Sequence, residues 1–208
     1  MTHVADEPAA DIIDLVFALG GGALPREHRF ALAEALDAAL PWLATLPMAG
    51  VHRLNIAAGG GTDALLSGRT RLTLRLPRDK AAAAEAALSG TTLAVAGGSL
   101  HVGAAQLREL LPHGTLYAHL VAAGQGDEMQ FMQDVQQELA ALGVAGRPIC
   151  GRHQLAEGGA LHGYGLMLDA LTAAHSLRVQ QTGLGLHRRL GCGVFVPHKS
   201  AAAVGTPL

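Results

Sequence analysis

The sequence predicts an α+β protein built from two consecutive βαββαβ runs, each folding its strands into an antiparallel sheet. Short apolar runs bounded by glycine and proline alternate with segments whose leucines recur every three or four residues. The same order of elements begins again after Pro112. A composition of 50% apolar and 15% charged residues over 208 positions suits one ordinary cored domain or two small packed halves.

Ile12 to Leu19 reads as a buried strand, broken by Gly20 to Gly22 before a helix opens near Arg26. Leu32, Leu36, Leu40 and Leu43 fall on one face of that helix, and Pro41 ends it near Leu40. Val51 to Ala57 is a second strand, followed by the loop Gly59 to Gly61. In Arg69 to Leu76 the polar series Arg69, Arg71, Thr73 and Arg75 alternates with Thr70, Leu72, Leu74 and Leu76. Period-two alternation predicts a strand with one buried and one basic face. Asp79 is the expected N-cap of a helix from Lys80 to Leu88, closed by Ser89 and Gly90, and Thr91 to Val102 returns as a hairpin about Gly97 and Gly98.

The second run starts with the strand Thr115 to Ala122 and an Asp127-capped helix to Leu142 that carries Met132, Val135, Leu139 and Leu142 on one face. Gly143 terminates it. Strand material from Pro148 to Leu171 is broken at Gly158 and Gly159, and a Thr172-capped helix runs to Thr182. A glycine-rich loop and the strand Gly193 to Val196 follow. Each run has the order of a ferredoxin-like split-βαβ unit. The expected halves are residues 1–112 and 113–208, the latter carrying the glycine-rich loop.

A formal charge of −2 excludes a protein that coats nucleic acid non-specifically. The charge is polarised, however. Residues 81–146 hold Arg108 against six acids, while residues 147–208 hold six basic residues against Glu157 and Asp169. Two cysteines in a chain of this length argue against a disulfide-stapled secreted module. The acidic opening at Met1 resembles no signal peptide, and the apolar stretch Ile12 to Leu24 is too short and too interrupted to span a bilayer. A cytoplasmic protein with no membrane partner is the expectation.

The segment from Gly183 to Gly193 joins four glycines to His187, Arg188 and Arg189. Glycine lets a phosphate approach backbone N–H groups, and arginine offers a fork of donors that matches phosphate oxygens. The segment therefore reads as a phosphate cradle, or as a helix C-cap followed by a hairpin with a solvated arginine pair. Its spacing is not that of a dinucleotide fingerprint. Cys150, His153, His187 and Cys192 are enough in number for zinc but lack zinc-knuckle spacing, so no metal or cofactor is expected.

The run from Ser176 to Pro197 resembles the glycine-rich segment of the CRISPR repeat-processing endoribonucleases of the RAMP superfamily, and more narrowly their compact MYXAN-type subgroup. Asp14 to Gly20, Leu24-Pro-Arg-Glu-His28, Leu40-Pro-Trp-Leu43 and Arg69 to Pro77 extend the similarity over nearly the whole chain. The resemblance implies tandem ferredoxin-like halves and metal-independent cleavage. It implies attack of a ribose 2′-hydroxyl on the adjacent phosphate, leaving a 2′,3′-cyclic phosphate and a 5′-hydroxyl. It implies repeat hairpin RNA and mature guide RNA as partners, and leaves other effector-complex subunits open.

Such chemistry needs a base and an acid, for which histidine is suited. The resemblance places the catalytic histidine on or just after the first helix, which selects His28 and His52. The two are expected at opposite ends of the first half, so that one of them serves. His28 is placed first for its position in Leu-Pro-x-x-His. Phe30 stands where relatives often carry an acid-base aromatic, so a tyrosine-assisted mechanism is not expected there. RNA binding is assigned to Gly183, Gly185, His187, Arg188, Arg189, Gly191, Gly193 and Arg53, with Arg26, Arg29, Arg69, Arg71 and Arg75 available to extend a basic track. Seven aromatics leave little for base stacking, so recognition should rest on backbone and hairpin shape. The alternatives are a non-catalytic guide-RNA-binding subunit of an effector complex and a small-molecule-binding protein.

Overall fold

Six successive buried residues, Ile12 to Phe17, make strand β1 (Ile12–Gly21) the covered centre of the first sheet. The computed structural model describes residues 11–56, 63–124 and 127–198; the Gly59 to Gly61 loop lies outside them. β1 pairs antiparallel with β5 (Arg71–Pro77) on one side and β7 (Gly98–Glu109) on the other. β3 (Gly50–Val51) extends the sheet beyond β5, and β6 (Thr92–Val95) extends it beyond β7, giving the order β3-β5-β1-β7-β6.

Helices α1 (Arg29–Ala39) and α2 (Ala81–Leu88) cover one face, where Leu32, Leu36, Leu40 and Leu88 pack on Ile13, Leu15, Phe17, Leu72 and Leu74. Helix α1 ends at Ala39 with Leu40 as C-cap, immediately before Pro41. A small additional sheet pairs β2 (Ala23–Pro25) with β4 (Asp63–Leu65).

The second sheet has the order β11-β8-β10-β9, all antiparallel, from β8 (Leu116–Ala122), β9 (Arg147–Ala156), β10 (Leu161–Asp169) and β11 (Val196–Pro197). Its core joins Phe131, Val135 and Leu139 of α3 (Glu128–Ala141) and Val179 of α4 (Ala173–Thr182) to Leu116, Leu166, Leu168 and Phe195. Both helices start as read: Asp127 accepts a hydrogen bond from the Gln130 N–H, and Thr172 accepts one from the His175 N–H.

Several expectations need correction, among them the closing strand, expected over Gly193 to Val196 and formed only at Val196–Pro197. β1 continues through Gly20 and Gly21, because β7 still pairs with it there, and the break comes at Gly22. The predicted strand from Val51 shrinks to Gly50–Val51, with residues 52–56 running on irregularly. Asp79 does not cap α2; it lies in a 3₁₀ turn, Arg78–Lys80, and faces Lys80 at 3.4 Å. Most consequentially, the basic face of β5 is not a solvent face. Arg69 and Arg71 are exposed, but Thr73 is buried and Arg75 is 1% exposed. The sheet is covered on both sides, by its own helices and by the C-terminal part of the chain.

Candidate functional site

A buried charge network fastens the two sheets together. Asp14 and Arg75 stand opposite each other in the β1–β5 register. Arg75 donates from Nε and Nη2 to the two carboxylate oxygens of Asp14 at 2.8 and 3.0 Å. Its Nη1 donates to the carbonyls of Gln180 at 3.0 Å and Phe195 at 2.7 Å. Asp14 also accepts from His52 Nε2 at 3.1 Å. Burial alone raises the carboxyl's pKa, but the hydrogen bonds and charges of His52 and Arg75 outweigh it and hold the group well below the usual range. Burial lowers that of His52, against the opposing pull of Asp14 and with help from the charge of Arg75. His52 Nε2 thus donates its proton to the Asp14 carboxylate, and Nδ1 is the ring nitrogen left outside that bond.

Beside this network lies a cleft of about 350 Å³. His28, Arg29, His52 and Arg53 line it from the elements around the first sheet, and His119 and Gly191 from those around the second. A smaller adjoining space shares His52, Arg53, His119 and Gly191 and adds Tyr117. His28 and His52 thus face one cleft, against the expectation that they would lie apart. The reason is register. The second strand begins at Gly50 opposite Arg75, so the His52 N–H already reaches the Thr73 carbonyl at 2.9 Å, beside the middle of β1. From there the chain runs toward the start of α1.

His28 is the N-cap of α1, and its side chain forms no cap hydrogen bond. Its Nδ1 lies 2.8 Å from the Pro25 carbonyl, an acceptor only, so in the neutral ring Nδ1 is protonated and Nε2 is the basic atom. The first N–H of the helix, at Arg29, donates to the Glu157 carboxylate at 2.8 Å across the cleft. Arg29 also donates from Nη1 to the Leu190 carbonyl at 2.9 Å. Arg53 is exposed, and burial of part of its side chain together with the charge of Arg29 lowers its pKa.

The backbone of the glycine-rich loop is tied into the fold at both ends. Much of its backbone is already satisfied: the N–H groups of Gly183, Leu184 and Gly193 donate to the carbonyls of Val179, Gly193 and Leu120. The Gly185 N–H donates to the Glu138 carboxylate at 2.7 Å. Glycine is required for packing. At Gly193, φ is +62°, and an added Cβ would sit 1.9 Å from the Leu184 carbonyl oxygen. At Gly191, φ is +76°, and the backbone lies against the Val51 carbonyl and the Arg53 N–H, closing the floor of the cleft.

The two arginines of the loop differ in exposure, Arg188 being buried and Arg189 partly exposed. Arg188 is buried against Gly50, donates to the Gln181 carbonyl at 3.0 Å, and has no hydrogen-bond partner for Nε or Nη2 among the described residues. Burial lowers its pKa to about 10, which leaves it charged at neutral pH. Arg189 pairs with Asp37 of α1. His187 is exposed in the left-handed region, with φ +65°. The Cys150, His153, His187 and Cys192 side chains do not assemble: among the described residues no three His, Cys, Asp or Glu groups gather as metal ligands.

His119 was not anticipated from the sequence. It lies on β8, where Tyr117 and His119 are half-buried between the buried Leu116, Ala118 and Leu120. Ring side chains on the outward positions of a short strand were the available signal.

The family model described as "Cas6 Crispr" matches residues 13–200. The chain belongs to the Cas6 family. A CRISPR-associated endonuclease Cas6 of Myxococcus xanthus (strain DK1622) is 36% identical over 195 residues, covering 92% of this chain and 84% of its own length. Among solved structures, a CRISPR-associated protein Cas6 superposes with a TM-score of 0.65 at 9% identity, covering 90% of this chain and all of the other. A RAMP protein binding different RNA substrates superposes with a TM-score of 0.60 at 12% identity, over 88% of this chain and 98% of the other. At such identities the Cas6 structures establish the shared mixed α+β architecture with antiparallel sheets. The cleft residues of this Cas6-family chain are read from its own geometry.

Proposed function

We propose that this chain is an endoribonuclease that cuts CRISPR precursor RNA within its repeats and releases guide RNA. The observation that carries the reading is the convergence of His28, His52 and the exposed Arg53 on one cleft, in a chain of the Cas6 family. The donor set is imidazoles and guanidinium groups, which suits transesterification without a metal ion: the 2′-hydroxyl attacks the adjacent phosphate and the 5′ oxygen departs. His28 acts as base through Nε2, held in that tautomer by the Pro25 carbonyl. His52 is held by Asp14 and borders the same cleft. Arg53 and Arg29 stand where the phosphorane charge develops.

The chain is divided, in this reading, into two ferredoxin-like halves, residues 1–112 and 113–208, and RNA lies along the seam in the cytoplasm. Binding falls to Arg53 and His187, while Gly183, Gly191 and Gly193 shape the loop and Arg188 and Arg189 brace it. The test is incubation with cognate repeat RNA in excess EDTA, followed by analysis of the product ends. A 2′,3′-cyclic phosphate with a 5′-hydroxyl is expected. Tight binding without cleavage would instead mark a non-catalytic guide-RNA subunit, and a 3′-hydroxyl product or dependence on added divalent metal would overturn the mechanism.

A further inference from the structure

His119 stands across the cleft from His28, on the opposite sheet, and three independent observations set it apart. First, it lines both the main cleft and the adjoining space toward Tyr117, so its ring borders the joint between them. Second, the register of β8 against β10 slips there. Tyr164 pairs with Val121 and Leu166 with Ala118, so His119 and Leu120 together oppose the single residue Gly165. A β-bulge of this kind re-aims a side chain and raises the local twist. Gly165 admits it, since an added Cβ would lie 2.8 Å from the Tyr117 hydroxyl.

Third, His119 Nδ1 is buried and has no hydrogen-bond partner from any other described residue. A buried imidazole nitrogen without such a partner costs stability, which a purely structural histidine would normally avoid. Burial first lowers the basicity of the ring, a hydrogen bond with its own backbone opposes this, and the charges of Arg53 and Arg29 lower it further. A phosphate bound against those arginines would cancel their repulsion and let the ring take up a proton as substrate enters.

We propose that His119 is the second proton-transfer residue of the cleft, donating a proton to the departing 5′ oxygen while His28 accepts the proton of the 2′-hydroxyl. This rests on the cleavage reaction proposed above. In the step, the P–O2′ bond forms as the 2′ proton passes to His28, and the P–O5′ bond breaks as the His119 proton passes to the 5′ oxygen. His28 ends protonated and His119 neutral, and exchange with solvent restores both.

The test uses two cognate repeat RNAs, one ordinary and one with sulfur replacing the bridging 5′ oxygen at the cut site, since a thiolate leaves without protonation. His119→Ala should lower the single-turnover rate on ordinary RNA roughly 10² to 10⁴-fold, while RNA affinity stays near the parental value. On the sulfur-bridged RNA it should come within about tenfold of the parent. His119→Gln, which preserves polarity and approximate size, should behave alike and exclude misfolding as the cause. A parent that cuts neither RNA overturns the proposed function, and this role with it. A parent that cuts, beside variants that cut ordinary RNA at the parental rate or lose both RNAs equally, overturns this role alone.

Discussion

Replacing Arg75 by methionine removes four hydrogen bonds at once, two to Asp14 and one each to the carbonyls of Gln180 and Phe195. Counted separately at roughly 1.5–3 kcal/mol for a bond to a charged group they would sum to far more than a single change costs. Most of that is offset by relief of guanidinium desolvation. What remains is an Asp14 carboxylate, 6% exposed, held by His52 alone, and two carbonyls without their donor. Breaking one side of such a pair costs about 3–5 kcal/mol, against a typical domain stability of about 5–15 kcal/mol. Urea unfolding at pH 7.5 measures it, with an unchanged m-value confirming a common transition. Asp14→Leu made in the Arg75→Met background should recover part of the loss, because the unpaired buried charge is then gone. A loss below about 1 kcal/mol for Arg75→Met, or strictly additive effects in the double variant, would refute the view that this pair is dry and coupled.

Alanine at His28 should lower the single-turnover rate roughly 10² to 10⁴-fold with RNA affinity nearly intact, and parental rates in both His28→Ala and His52→Ala would move the active site elsewhere. Arg53→Ala should weaken RNA binding and reduce the slope of log affinity against log salt by about one, whereas Arg188→Ala should leave the slope unchanged because its guanidinium is buried. The folded-state pKa of His52 is depressed, so the stability it contributes is present above its unfolded value of about 6.5 and is lost as pH falls below it. Denaturation midpoints between pH 7.5 and 5.5 should fall in the parent and fall less steeply in His52→Gln. Gly193→Ala, with a positive φ and a carbonyl in its path, should yield little soluble protein at 37 °C, and a soluble variant of parental melting temperature would contradict the packing described for the loop.

The order of elements was legible because each carries its own period and its own punctuation: leucines on α1 stopped by Pro41, Asp127 and Thr172 at the helix starts, and glycines at the Gly97–Gly98 turn. Local rules decide such features. The side on which Arg75 lies was not legible, since period two distinguishes two faces of a strand but not what covers the second one. That face meets residues more than a hundred positions away in sequence. The packing role of the glycine-rich segment was hidden for a related reason. Its composition suits phosphate binding, but the close approaches at Gly193 by Leu184 within the loop, and at Gly191 by Val51 from the first sheet, appear only once the chain is folded. His28 and His52 were selected by their place beside the first helix, while His119 depended on a bulge that no single strand encodes.

The reach of Arg75 also constrains how the chain assembles. A nascent polypeptide that has emerged only as far as Pro112 holds Asp14 and Arg75 but neither Gln180 nor Phe195, so the guanidinium lacks two of its four acceptors. The first sheet therefore leaves the ribosome without the carbonyls that complete its interior, and its second face waits for the segment that carries Gln180 and Phe195. Contacts of such long sequence separation slow folding and bind early and late segments into one transition. The first sheet is thus finished by residues synthesised much later, and the described residues should unfold as one cooperative unit despite their separate hydrophobic clusters.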